Sequence, residues 1–341
     1  MRVILAATLV SVFLVSSASG AEKLGRDAIE SATFAGSLPR QDRPSALATK
    51  VQVLLERAQF SPGEIDGRFG DNAQKALRAF ANANGLASSK PLTPEIWTKL
   101  QEVSSQAILS DYVITAQDVK GPFIAKIPKG LEAMKDLPAL GFTSPKEALA
   151  EKFHMSEALL AVLNPGKSFD RAGETIIVVA PGTSDKPPAA TRVEVDKAGG
   201  TVRVFGGDDK LLAFFPASVG SAEKPTPSGS LKITSVHRDP TYRYDPEYKF
   251  KGVKARKPFQ VKPGPNNPVG TVWIALTEKG IGLHGTAEPS RVGKSQSHGC
   301  VRLTNWDVGR LAALVKKGVP VDFIDAVQAE RGKQRTGVAA R

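Results

Sequence analysis

The sequence predicts a multidomain α+β chain: a small three-helix bundle, then an α/β module, then a mostly β domain of sandwich or barrel type. Apolar residues recur at helical spacing between 45 and 103, and strand-like segments bracket two short helical ones between 110 and 181. From 192 to 325, short alternating runs are separated by glycine and proline turns. A chain of 341 residues has room for two or three domains, each burying its own core.

The chain opens with Met1-Arg2, an apolar run from Val3 to Val15, and small residues from Ser16 to Ala21. This pattern predicts a secretory signal peptide over 1–21, cleaved between Ala18 and Glu22. The alternative is a retained anchor, but the run falls short of the roughly 20 residues that cross a bilayer, so no stable transmembrane segment is expected after cleavage. The expected location is outside the cytoplasm, in the periplasm or cell envelope. Residues 22–44 are polar and broken by Gly25, Gly36, Pro39 and Pro44, which predicts a flexible lead.

From Ser45, the residues Leu47, Val51, Leu54, Leu55 and Ala58 share one helical face. A turn-rich loop follows, then a second helix capped at Asp71 that gathers Ala76, Leu77, Phe80 and Ala81 and stops at Asn84-Gly85. Thr93-Pro94 starts a third helix, burying Ile96, Trp97 and Leu100. A generic bundle would have the same periodicity. The loop Asp66-Gly67-Arg68-Phe69-Gly70 makes the segment resemble the peptidoglycan-binding domain found beside many wall enzymes.

In 110–181, a strand at Tyr112-Val113-Ile114-Thr115 precedes a helix at Ala148 to Phe153 and a second, begun at Met155-Ser156, with Leu159, Leu160 and Leu163 inward. Asn164-Pro165 ends it, and a strand closes over Ala172 to Val179. Strand, two helices, strand resembles a LysM module, although residues 117–143 insert a long segment where a LysM has a brief loop. Glycan binding and a structural spacer both remain open. Residues 182–191 have linker composition, stiffened by Pro187-Pro188.

Strands are predicted at Arg192 to Asp196, Thr201 to Phe205, Leu211 to Ser218, Ser230 to Val236, Thr271 to Leu276, Gly280 to Leu283 and Val319 to Ile324. One helix, Thr304 to Lys317, is placed to brace the site from behind. The chain's single cysteine, Cys300, lies in Ser297-His298-Gly299-Cys300-Val301-Arg302, downstream of His284-Gly285-Thr286. A thiol is nucleophilic as its thiolate, so a reactive cysteine needs a nearby base or cation. His298 is close in sequence but not necessarily aimed at the sulfur and is a candidate for oxyanion or substrate binding, while His284 at a strand end is the better base. Backbone N–H groups near Gly299 and Cys300 can face an oxyanion. Arg302, two residues past Cys300, shares its face on a strand and suits a substrate carboxylate or a surface ion pair. Ser297 and Thr286 are candidates for substrate contact or turn residues.

This stretch, with Thr226-Pro227-Ser228-Gly229 and Pro263 to Gly270 upstream, resembles the active-site motif of the L,D-transpeptidases of the YkuD/ErfK type over roughly 192–325. The resemblance implies a Cys300 nucleophile, a His284 base and a Gly285 carbonyl orienting the imidazole. It further implies a thioester with a peptidoglycan stem, transfer to an amine to give a 3-3 cross-link, and acylation by carbapenems. The expected partners are stem peptides and glycan, and no step calls for a cofactor or metal. Two alternatives are carried: a wall-binding protein with an inactive catalytic domain, and an L,D-carboxypeptidase or hydrolase.

The net charge of +12, with clusters at 249–257 and in the basic tail 326–341, favours anionic wall polymers and head groups or simply a solvated face. Interleaved aromatics of a nucleic-acid motif are absent from the sequence, so no nucleic acid is expected. His237 and His154 read as structural. Tyr242, Tyr244 and Tyr248 lie in a long excursion that either roofs the cleft or is solvated.

Overall fold

The structure is a computed structural model that describes residues 24–325 apart from 87, 183–187, 222–223, 249–252 and 298. The expected signal peptide, the basic tail and part of the 249–257 cluster lie outside the described residues. Among those described, no helix is long and apolar enough to cross a membrane.

The expected flexible lead instead contains a helix, α1 (Arg26–Ser31), with Ile29 fully buried. The reason is polar as well as apolar: Glu30 accepts the backbone N–H groups of Ile108 and Leu109 at 3.0 and 2.8 Å, and Arg26 donates to the Leu109 carbonyl at 3.3 Å. Helices α2 (Ala46–Arg57), α3 (Asp71–Ala83) and α4 (Pro94–Gln101) form the predicted bundle. Ser45 and Thr93 cap α2 and α4 through their hydroxyls, but α3 is capped at Gly70, with Asp71 in the first turn facing the helix dipole. In the loop between α2 and α3, Gln52 donates to Asp66 at 2.9 Å and accepts from the Gly67 N–H at 2.8 Å. That leaves Phe69 buried.

The middle segment runs β1 (Leu109–Val113), α5 (Ala116–Val119), α6 (Leu131–Met134), α7 (Pro145–Lys152), α8 (Glu157–Leu163) and β2 (Thr175–Val179). β1 and β2 pair antiparallel, giving the expected strand-helix-helix-strand order, with α5 and α6 carried by the insertion. The insertion is docked on the C-terminal β-rich domain. Leu140 exchanges backbone bonds with Pro263 and Asn266 at 2.9 Å each, and its carbonyl lies 2.2 Å from where a Cβ on Gly264 would stand. Bundle and middle segment share a single apolar core running from Ile29 to Val179, rather than the two cores expected.

The C-terminal domain comprises β3 (Arg192–Asp196), β4 (Thr201–Phe205), β5 (Leu211–Pro216), β6 (Gly229–Arg238), β7 (Tyr242–Tyr244), β8 (Phe259–Val261), β9 (Val272–Leu276), β10 (Gly282–His284), β11 (Val301–Arg302), α9 (Asn305–Leu314) and β12 (Pro320–Ile324). Eight strands form one sheet in the order β11-β10-β9-β6-β12-β3-β4-β5. Ser218, just past β5, exchanges two 2.9 Å bonds with Arg302 of β11, so the sheet curls until its two ends meet. A barrel-like curl, not a sandwich, is therefore how this domain closes its edges. α9 lies against β9 and β10, with Val308 and Leu311 in the same core as Ile274 and Leu283.

The N-terminal region covers the outer edge of β5. Phe214 exchanges backbone bonds with Gln59 and Ser61 at 3.0 and 2.9 Å and buries its ring in the N-terminal core. Beside it, Arg310 of α9 donates to the fully buried Glu56 of α2, and His154 Nδ1 lies 2.5 Å from the same oxygen. Burial works to raise the Glu56 pKa, but the Arg310 charge and His154 outweigh it and hold the carboxylate low.

Candidate active site

The site forms where four strands bring one row of side chains together. In register across the sheet stand Arg302 on β11, His284 on β10, Trp273 on β9 and His237 on β6. Neighbouring strands lie about 4.8 Å apart, so the row extends about 10 Å from His284 to His237. All four line a cavity of about 980 Å3, together with Cys300 and Ser297. The excursion after β6 borders it through Tyr242, Arg243, Asp245 and Glu247, of which Arg243 and Glu247 are also exposed to solvent. The Tyr248 side chain and residues 249–252 lie outside the described residues.

His284 is 5% exposed, and Trp273 stacks on its ring at 5.6 Å and 21°. Its Nδ1 lies 2.7 Å from the Gly285 carbonyl oxygen. A carbonyl can only accept, so Nδ1 carries the proton and Nε2 keeps its lone pair. Burial, aided by the Arg302 charge, pushes the imidazole pKa down from 6.5 to about 3, against the opposing pull of the Gly285 bond. The ring is neutral at physiological pH.

Cys300 follows Gly299, whose φ of +107° favours glycine at that turn. The thiol donates to the Gly280 carbonyl at 3.4 Å. Burial raises its pKa, while a Gly282 backbone hydrogen bond and the Arg302 charge act in the opposite direction. Sequence reasoning expected the imidazole to ionise the sulfur. In this structure burial works the other way, favouring the neutral form of both the thiol and the imidazole that share the cavity.

Ser297 donates its hydroxyl to the Cys300 carbonyl, and its backbone N–H to Val219 at 2.7 Å, which fixes the turn that presents the thiol. Thr286 is 4% exposed and accepts from the Glu288 N–H at 3.1 Å, consistent with a loop-fixing role. Arg302 is partly buried, and its Nε has no partner among the described residues. His298 lies outside the described residues.

Several residues at the site were not singled out from sequence. Trp273 sat in a predicted strand, but its place over His284 depends on register. His237, read as structural, lines the cavity and bonds Ser235 at 2.8 Å. Leu131 of the insertion reaches the same cavity. Asn72 of α3 donates to the Val292 carbonyl at 2.8 Å, holding the loop between the histidine and the cysteine.

The geometry agrees with what comparison with known proteins finds. A model of the L,D-transpeptidase catalytic domain, YkuD, matches residues 190–323, and a model of a peptidoglycan binding domain matches 45–100. A Bacillus licheniformis protein named as an L,D-transpeptidase, YkuD, is 31% identical over 179 residues, covering 52% of this chain and 92% of that protein. An Escherichia coli protein named as an L,D-transpeptidase, ErfK/SrfK, is 28% identical over 259 residues, covering 72% and 71% respectively. The solved L,D-transpeptidase from Mycobacterium smegmatis is 20% identical, covering 44% of this chain and 66% of that one, with a TM-score of 0.33, too low to add weight. The chain belongs to the YkuD family of L,D-transpeptidases, cysteine transpeptidases acting on peptidoglycan, and carries a peptidoglycan binding domain ahead of the catalytic one.

Proposed function

We propose that this protein cross-links peptidoglycan stem peptides through a thioester on Cys300. The observation that carries this reading is the His284 imidazole, held by Gly285 as the Nδ1–H tautomer in the cavity that also holds the thiol. His284 Nε2 takes the thiol proton as the sulfur attacks the carbonyl preceding the terminal D-amino acid of a donor stem. With both groups neutral at rest, proton transfer accompanies attack rather than preceding it. Backbone amides at Gly299 and Cys300 stabilise the tetrahedral oxyanion. The C–N bond breaks, the imidazolium returns its proton to the departing amine, and a thioester remains. An acceptor stem's side-chain amine then attacks, loses its proton to Nε2, and expels the thiolate to give a 3-3 cross-link.

Arg302, with its Nε unpartnered among the described residues, suits a carboxylate of the donor stem. The domain at 45–100 supports delivery to the wall, and the apolar start of the sequence supports export to the envelope. In the middle segment we infer a spacer that also borders the cleft, since Leu131 reaches the cavity.

Incubation with tetrapeptide-containing muropeptides, resolved by mass, tests the reaction. The expected products are dimers that have lost one terminal residue, and a carbapenem should add its mass to the protein. Tripeptides without dimers would instead favour the carboxypeptidase. No product and no adduct would favour an inactive wall-binding protein.

A further inference from the structure

Asn305 is the first residue of α9, 5% exposed, and all four hydrogen-bonding positions of its amide are used. Oδ1 accepts the backbone N–H groups of Thr271 at 3.1 Å and Thr286 at 3.2 Å. Nδ2 donates to the Glu151 carboxyl at 3.0 Å and to the Pro265 carbonyl at 3.1 Å. The amide orientation is fixed by this set, because a flipped amide would set N–H against N–H. The approach is close: a Cβ on Gly270 or Gly285 would stand 2.1 or 2.2 Å from Oδ1.

The Thr286 N–H belongs to the same planar peptide unit as the Gly285 carbonyl. In a trans peptide these two groups point in opposite directions. Holding the N–H on Asn305 therefore aims the carbonyl away from Asn305, at His284 Nδ1. A neutral histidine in water favours the Nε2–H tautomer, so the Nδ1–H form at His284 depends on that plane being held. Glu151 lies on α7, outside the matched catalytic domain 190–323.

We infer that Asn305 is a positioning residue for His284, setting its tautomer through the Gly285–Thr286 peptide, and that Glu151 holds Asn305, making the middle segment part of the catalytic arrangement. This rests on the reading of His284 as the base.

The test uses the full chain and its Asn305→Ala, Asn305→Asp, Glu151→Ala, Glu151→Gln and His284→Ala variants. One readout is the imidazole 15N shifts of His284, assigned by their loss in His284→Ala. Another is kcat and KM on muropeptides. Asn305→Ala should move His284 toward the Nε2–H tautomer and lower kcat about 10- to 100-fold, with KM within twofold. Asn305→Asp keeps the acceptor for Thr286 and should keep the Nδ1–H signal. Glu151→Gln can still accept from Asn305 and should match wild type, whereas Glu151→Ala should fall between the two Asn305 variants. Should Asn305→Ala unfold, the Glu151→Ala and Glu151→Gln pair still decides. An unchanged tautomer and kcat in Asn305→Ala or, in its place, in Glu151→Ala overturns the inference. An unchanged kcat in His284→Ala would instead overturn the base assignment beneath it.

Discussion

Burial sets the charge state of the two reacting side chains. An exposed imidazole titrates near 6.5, but His284 is pushed down to about 3, and the Cys300 thiol is pushed up from 9.0. Iodoacetamide should therefore alkylate Cys300 slowly from pH 5 to 8 and quicken only above about pH 9, because the thiolate is the reacting form. A rate that has already levelled off by pH 6 would reveal a thiolate–imidazolium pair and contradict the neutral resting state. The acid limb of kcat should likewise lie well below pH 6.5, because the base keeps its lone pair down to about pH 3. At Gly285, the close approach of Asn305 leaves no space for a methyl group. Gly285→Ala should cost about 1–3 kcal/mol in thermal unfolding and lower activity with it. The residues of this site were legible in the sequence where chemistry marked them: a lone cysteine, a histidine at a strand end, an arginine two places on. Trp273 and Asn305 carried no such mark, because their importance comes from register and from which loops converge on a helix start.

Elements were legible where local rules decide them. Capping hydroxyls at Ser45, Thr93, Ser156 and Thr304 set helix starts, and strict alternation set β3 and β4. β7 and β8 were not foreseen, since three-residue strands give too short a period to read. α1 was missed because its six residues have one buried apolar side chain and depend on Glu30 meeting backbone amides far along the chain. α7 carries a titrating group into the junction with α9. Burial, with Glu147 adding negative charge nearby and the Asn305 bond opposing, raises Glu151 from 4.5 to about 7. The folded state thus binds this proton more tightly than the unfolded state. Its contribution favours folding most below pH 4.5 and declines as pH rises toward 7, by about 3 kcal/mol at most. Glu151→Gln should flatten that decline in denaturant titrations at pH 4 and pH 8. An equally steep decline in the variant would remove Glu151 as its source.

Across the whole molecule, the expected string of separate modules is replaced by packing that converges on α9. Its first turns meet the middle segment through Asn305 with Glu151 and Trp306 stacked on His154 at 5.1 Å. They meet the bundle through Asp307, which accepts from Ser61 at 3.0 Å, and through Arg310 with Glu56. Sequence patterns mark which face of an element is apolar, but not that Phe214 of one domain completes the core of another. The described residues should therefore unfold in one cooperative transition by circular dichroism. Arg310→Ala leaves the buried Glu56 without its strongest partner and should lower stability by about 3–5 kcal/mol. Two resolved transitions in the wild-type protein would contradict this account of the junction.

Acyl transfer through one sulfur is read most directly in the intact mass of the protein mixed with a tetrapeptide stem and no acceptor, followed by peptide mapping. The expected result is a mass increase equal to the stem minus the free terminal D-amino acid it releases, carried on the peptide containing Cys300 and absent from Cys300→Ser. An adduct on another residue, or turnover by Cys300→Ser at the wild-type rate, would contradict it.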